Sequence, residues 1–232
     1  MKIAIMQPYL FPYIGYFQLI NAVDKFVIHD DVQWIKGGWI NRNRILSNKG
    51  SEMITLAVKK RSNFDNINQY EIIKDQKNRI KFCNKIRNSY IKAPFFKDVF
   101  PILENILQNK ETNINFLIKT SLVDIMKYLN IMTLLYFSSN LKKNNRLKGQ
   151  ERVLNICRVM KTSIYINPIG GLTLYDKNRF KQNNINLFFL NTQDIKYKQF
   201  GNDFIPNLSI IDVLMFNSKT EIISLLKQYI LV

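Results

Sequence analysis

Two short apolar runs flanking a helix-length stretch constrain this chain more than any other feature. Lys2–Met6 runs straight into Gln7-Pro8-Tyr9. Gly15–Ala22 then carries Phe17, Leu19 and Ile20 at helical spacing. Lys25–His29 follows and ends in His29-Asp30-Asp31. Strand, loop, helix, strand is the opening of a parallel sheet, because parallel neighbours need a crossover connection. Open sheets of that kind place their ligands outside the carboxyl ends of the strands. In this chain those positions are rich in Gln, Tyr, His, Asp, Trp, Asn and Arg.

Four more runs read as strands: Met53–Val58, Met132–Tyr136, Ser163–Ile166 and Asn186–Leu190. Helical spacing separates the first four runs, which again predicts a parallel sheet. From about residue 68 to 130 the pattern is helical throughout. Asp98 caps a helix bearing Val99, Leu103, Ile106 and Leu107, and Asn115–Leu129 forms another. Gln150–Lys161 and Thr220–Ile230 read as later helices. The expectation is a Rossmann-like α/β fold, with a parallel sheet of about five strands and flanking helices. Residues 1–232 read as a single domain with a helical insertion at about 68–130. Hydrophobic residues at 47% supply a core.

The formal charge of +17 suggests an acidic partner. Its Lys and Arg residues form no long block, however, and no nucleic-acid reader motif is present. Nucleic acid is therefore not the expected partner. Cys83 and Cys157 lie far apart in helical stretches and read as reduced core residues. With one His and no paired Cys spacing, no metal site is predicted from spacing. Gln7, Pro8 and Pro12 interrupt the amino-terminal apolar stretch, which argues against a signal peptide. No apolar run reaches the ~20 residues of a membrane helix. A cytoplasmic protein is expected, of undetermined oligomeric state.

Three constellations carry candidate chemistry. In the first, Gln7 offers an amide, and Pro8 and Pro12 stiffen a loop containing Tyr9 and Tyr13. Gly15 and Tyr16 then open a helix whose amino end suits an anion. In the second, His29 is suited to proton transfer near neutrality. Asp30 and Asp31 could orient it, hold Mg²⁺ or accept a substrate hydrogen bond. Gln33 follows. Successive strand residues point to opposite faces, so all three converge only if the strand stops there. In the third, Lys36 and a Gly37-Gly38 turn precede Trp39, Asn41, Arg42 and Arg44. The Trp ring can stack on a sugar or base, and the Arg forks suit phosphate or carboxylate. Asn167, Gly170 and Gly171, after a later strand, allow close backbone approach to a ligand. Arg152 and the polar-aromatic segment from Tyr197 to Asp212 are weaker signals.

Tyr13-Ile14-Gly15-Tyr16 stands where nucleotidylyltransferases and pantothenate-synthetase-like ligases have His-x-Gly-His, and the amino-terminal topology resembles theirs. In that superfamily the His residues contact nucleotide phosphates. The whole chain more closely resembles the WbqC-like bacterial family. The resemblance lies in Gln-Pro-Tyr-x-x-Pro-Tyr-Ile-Gly-Tyr-Phe at Gln7–Phe17, Asp30-Asp31-Val32-Gln33, and Trp39-x-Asn41-Arg42-Asn43-Arg44. Ala93-Pro94-Phe95-Phe96, the Tyr165–Gly171 run and Pro206–Asp212 extend it. It implies a place in O-antigen or other surface-polysaccharide (lipopolysaccharide) biosynthesis more firmly than it implies a reaction.

The expected function is formation of an amide between an acyl or aminoacyl group, such as glycyl, and a nucleotide-linked amino sugar. His29, Asp30 and Asp31 would be catalytic. Residues of the Gln7–Tyr16 and Lys36–Arg44 segments, with Gln33, Asn167, Gly170 and Gly171, would bind substrate. A ligase of this kind would draw on ATP and Mg²⁺. The alternatives are a glycosyltransferase using a sugar nucleotide and a non-catalytic sugar-nucleotide binding protein.

Overall fold

The computed structural model describes residues 1–48, 50–62, 64–201 and 203–232. The elements begin with β1 (Lys2–Met6), α1 (Ile14–Asn21), β2 (Lys25–Ile28), β3 (Arg42–Ser47) and β4 (Gly50–Thr55). Then come α2 (Gln76–Tyr90), α3 (Phe96–Gln108), α4 (Ile114–Tyr128), β5 (Leu134–Phe137) and α5 (Gly149–Val159). The chain ends with β6 (Ile164–Pro168), α6 (Lys177–Lys181), β7 (Asn186–Thr192), α7 (Ile210–Phe216), α8 (Lys219–Leu225) and β8 (Tyr229–Leu231).

Six strands form the central sheet in the order β5-β2-β1-β6-β7-β8. The first five in that order are mutually parallel. The register pairs Ile5 with Val27 and Ala4 with Ile166. β8 pairs antiparallel with the outer edge of β7, so it runs back from the carboxyl rim of the sheet. The order reverses between β1 and β6, which makes the crevice above those two strands the switch point of a doubly wound sheet.

Alternation along each strand sorts the core into two layers. Ile3, Ile5, Val27 and Tyr165 face one side, where they pack with Val153, Leu154 and Cys157 of α5 and Phe180 of α6. Ala4, Phe26, Ile28 and Ile166 face the other, against α1, the α2–α4 helices, α7 and α8. The sheet is therefore flanked by helices on both faces, as expected of the Rossmann-like class. Both cysteines are free and buried.

Several boundaries differ from expectation. The run at Met53–Val58 is not a sheet strand. Its first residues belong to β4, which pairs antiparallel with β3 in a separate hairpin. No helix separates β2 from that hairpin; residues 30–41 are turns and extended chain. Trp34 is held there by stacking on Tyr70, with ring centroids 4.1 Å apart. α3 starts before Asp98, which sits in its first turn and does not cap it. The last helix stops at Leu225, well short of Ile230, and Tyr-Ile-Leu forms β8. A β-branched and aromatic segment beside an open strand edge gains ladder hydrogen bonds, and these outweigh helical spacing. No described helix is long and apolar enough to cross a membrane.

Candidate functional site

The end of β2 divides its three polar residues between the two faces of the sheet. Continuing the alternation, Asp30 points to the α4 side. Its Oδ2 accepts from Asn115 Nδ2 at 3.0 Å and Ser139 Oγ at 2.6 Å, and its Oδ1 accepts from Ser139 N–H at 2.9 Å. It is 1% exposed. These bonds tie β2, α4 and the turn after β5 together and leave the carboxylate directed at protein.

His29 and Asp31 face the α5 side together. Lys143 Nζ lies 2.5 Å from Asp31 Oδ2, and Arg152 Nη2 lies 2.7 Å from the same oxygen. Arg152 Nη2 also donates to the Asp31 carbonyl at 3.0 Å, and Lys143 Nζ to the Ser138 carbonyl at 2.5 Å. The Lys143 side chain is 0% exposed and that of Arg152 12%. Four buried polar atoms here have no partner: His29 Nε2, Asp31 Oδ1, Ser138 Oγ and Arg152 Nε. Burial, with Arg152 and Lys143 adding to it, pushes the His29 pKa down to about 4 against the opposing pull of Asp31, so the imidazole is neutral at pH 7. Burial alone would raise Asp31. The hydrogen bonds from Lys143 and Ser138 and the Arg152 charge win, and hold it below the usual carboxylate range.

Neither carboxylate suits Mg²⁺. Asp30 is saturated by neutral donors and Asp31 is clamped by two cations, whereas Mg²⁺ needs free oxygen ligands. Among the described residues no group of three or more His, Cys, Asp or Glu could hold a metal.

A second feature lies across the end of β1. Tyr9, Pro12, Tyr13, Trp39, Asn43, Arg44 and Asn207 line a cleft of about 280 Å³. Trp39 is 41% exposed and Tyr13 36%. Arg44 Nη2 donates to the Asn207 carbonyl at 3.3 Å, while its buried Nε has no partner. The cleft is built by stitching the first loop to the hairpin. Asn43 Nδ2 donates to the Leu10 and Phe11 carbonyls at 3.2 and 2.8 Å, and Leu10 N–H to the Ile40 carbonyl at 3.0 Å. Ser209 Oγ, donating to the Phe11 carbonyl at 2.6 Å, adds the segment before α7. Phe11 and Asn207 both take left-handed backbone conformations, at φ of 46° and 57°.

Gln7 joins the two features. The Met6 carbonyl accepts from His29 N–H at 2.8 Å, and Tyr9 Oη lies 3.4 Å from Gln7 Oε1. Tyr16 is buried and donates to the Gln7 carbonyl at 2.9 Å, which braces the loop. A Cβ on Gly15 would come within 2.5 Å of the Tyr13 ring and 2.7 Å of Thr192 Oγ1, so the start of α1 is closely packed. On β6, Asn167 shares the α5 side with Tyr165, whose hydroxyl donates to Asn167 Oδ1 at 2.9 Å. A Cβ on Gly171 would stand 1.8 Å from Asn167 Nδ2, whereas one on Gly170 would meet nothing within 4 Å.

The other expected binding residues have protein partners or lie on the surface. Arg42 donates to the Gly38 carbonyl at 2.9 Å and also to that of Gly37, closing the turn before β3. Asn41 Nδ2 donates to the Leu56 carbonyl at 2.8 Å. Gln33 and Lys36 are exposed and do not line the cleft. Ser138 and Lys143 went unread in the sequence because they sit in a polar loop, and Lys143 is 112 residues from its partner Asp31.

These features define a doubly wound α/β protein with an aromatic cleft and a charged cluster at the carboxyl rim of its sheet. The chain belongs to the WbqC-like protein family, whose model matches residues 7–224. It is 30% identical over 223 residues to "Uncharacterized protein Rv1507c" of Mycobacterium tuberculosis (strain ATCC 25618 / H37Rv), covering 95% of each chain. No solved structure matches significantly.

Proposed function

We propose that this protein is a cytoplasmic enzyme of surface-polysaccharide biosynthesis, acting as one α/β domain on a nucleotide-linked amino sugar and forming an amide at its amino group. The observation that carries this reading is the cleft. Its two half-exposed aromatic rings offer stacking faces for a base or sugar. The asparagines beside them supply polar groups, and the unpartnered Arg44 Nε supplies a donor for phosphate.

The charged cluster supports the chemical step. A neutral His29 with a free Nε2 can accept a proton as an amine attacks an acyl carbon. The cationic surroundings that keep the imidazole uncharged also disfavour an ammonium, so an amine placed there is held in its nucleophilic form. Asp31 Oδ1 can accept a hydrogen bond from that amine. Asp30, on the other face, is a positioning residue in this scheme. Asn167 and Gly170 border the same side of the sheet and would meet the sugar. The residues do not fit a resident Mg²⁺, and no step is routed through one.

Thermal shift and calorimetry with UDP-, dTDP- and GDP-linked amino sugars test the reading. At least one should raise the melting temperature by mass action. Trp39→Ala and Arg44→Gln should each weaken its binding by roughly tenfold or more, the scale of one lost stacking or charge-assisted contact. Unchanged affinity in both variants would remove the cleft from the binding site. A glycosyltransferase would use the same cleft, and hydrolysis or transfer of the sugar without amide formation would mark it.

A further inference from the structure

The charged cluster behind His29 has a composition that the amide-forming scheme does not use. Two cations, Lys143 and Arg152, converge on the single carboxylate of Asp31. The neighbouring negative charge, on Asp30, belongs to the opposite face and is held there by Asn115 and Ser139. This face of the sheet thus carries an excess positive charge in a setting where unpaired charge is costly. Arg152 lies in the first turns of the eleven-residue α5, whose amino end adds positive potential.

The unpartnered atoms describe the missing group. Arg152 Nε can only donate and Asp31 Oδ1 can only accept. Ser138 Oγ can do either, as can His29 Nε2 according to its protonation. The complement is an oxyanion that accepts several hydrogen bonds and also carries one O–H. A carboxylate or a sulfate lacks that hydrogen near neutrality. A phosphate monoester, with a second pKa of about 6, has it.

We infer that His29, Asp31, Ser138 and Arg152 form a binding site for a terminal phosphoryl group, which donates its O–H to Asp31 and accepts from Arg152 and Ser138. Bridging phosphates of a sugar nucleotide have no such O–H, so this is a different ligand group from the one assigned to the cleft. The site stands whether or not the cleft binds a sugar nucleotide. The charges acting on His29 are Asp31 on its own strand end, Lys143 from the loop after β5 and Arg152 from α5. An added phosphoryl charge opposes the two cations and favours protonation of His29. One proton is then shared between phosphate and imidazole.

His29 is the single histidine of the chain, so its imidazole signals in a ¹⁵N–¹H spectrum report on this site alone. The full-length protein is titrated with orthophosphate and with sulfate at matched ionic strength and pH. The expected result is a saturable shift of the His29 resonances toward the protonated form with phosphate, and binding of sulfate weaker by roughly tenfold or more, a specificity set by one unpaired acceptor. Asp31→Asn should erase or invert that preference, because the amide can donate to a fully ionised oxygen. Should that variant fail to fold, Ser138→Ala, which leaves every charge in place, should weaken phosphate severalfold while phosphate stays preferred over sulfate. Equal affinity for the two anions, no His29 response to either, or full phosphate affinity in Ser138→Ala would overturn the assignment. None of these outcomes bears on the cleft, because no sugar nucleotide is present.

Discussion

His29 shows how one side chain couples the site to stability. Its pKa falls from 6.5 to about 4 on folding, chiefly because burial removes water from the charged form. Between those values the unfolded chain binds a proton that the folded chain does not. Stability therefore falls as pH drops through this window and is unaffected by this group above it. The shift corresponds to about 3 kcal/mol at its fullest. Urea denaturation followed between about pH 4 and pH 7 should show this slope in the native protein and a shallower one in His29→Gln. Equal slopes would mean that carboxylates alone govern acid sensitivity. Phosphate bound in the cluster should flatten the slope as well, since it restores the proton to the folded state. His29 and Asp31 were legible as a pair from their two-residue spacing. Their surroundings were not, because ion pairs to a loop more than a hundred residues away leave no local pattern.

Between elements, the hairpin is held by a buried polar junction. Tyr90 Oη on α2 accepts from Leu46 N–H at 2.9 Å and donates to Asp212 Oδ1 on α7 at 2.8 Å. Tyr197 Oη and Gln199 Nε2 donate to Asp212 Oδ2 at 2.6 and 2.7 Å. Burial pushes the Asp212 pKa up, and these three donors draw it only part of the way back. Tyr90→Phe leaves a buried N–H and a carboxylate oxygen without a partner. It should cost about 2–4 kcal/mol, read as a lower denaturation midpoint at unchanged m-value. A loss under about 0.5 kcal/mol would show that the junction tolerates an empty place. Because the hairpin supplies Trp39, Asn43 and Arg44 to the cleft, the same variant should weaken ligand binding there. The parallel strands were readable from their apolar runs, and the helices from 3.6-residue spacing. The hairpin was misread as a sheet strand because its apolar residues resemble those of β1 and β2. What separates them is the tertiary partner, Tyr90 and α7, which no window of sequence contains.

For the molecule as a whole, the charge of +17 is spread over a surface that has few long-range ion pairs. Such a field attracts any polyanion and is screened within about 8 Å at physiological salt. Duplex DNA should bind at low salt and dissociate by physiological salt. Ligands held by Arg44 or Arg152 should retain measurable affinity there, because buried donors are screened far less. Tight DNA binding at physiological salt would point to a nucleic-acid partner. The sheet order explains why both candidate sites share one rim: five strands end there, and the loops that follow them carry Gln7, His29, Lys143 and Asn167. That much follows from a parallel sheet, and it is why the first forty residues were so informative.

The antiparallel course of β8 has a practical consequence. Lys2 opens β1 at the amino-terminal rim, and β8 descends toward the same rim beside β7. Both chain ends thus lie away from the cleft and the charged cluster. A tag, surface anchor or fused reporter on either end would present the working rim outward, so this protein can be mounted on a sensor chip with its ligand-facing edge unobstructed.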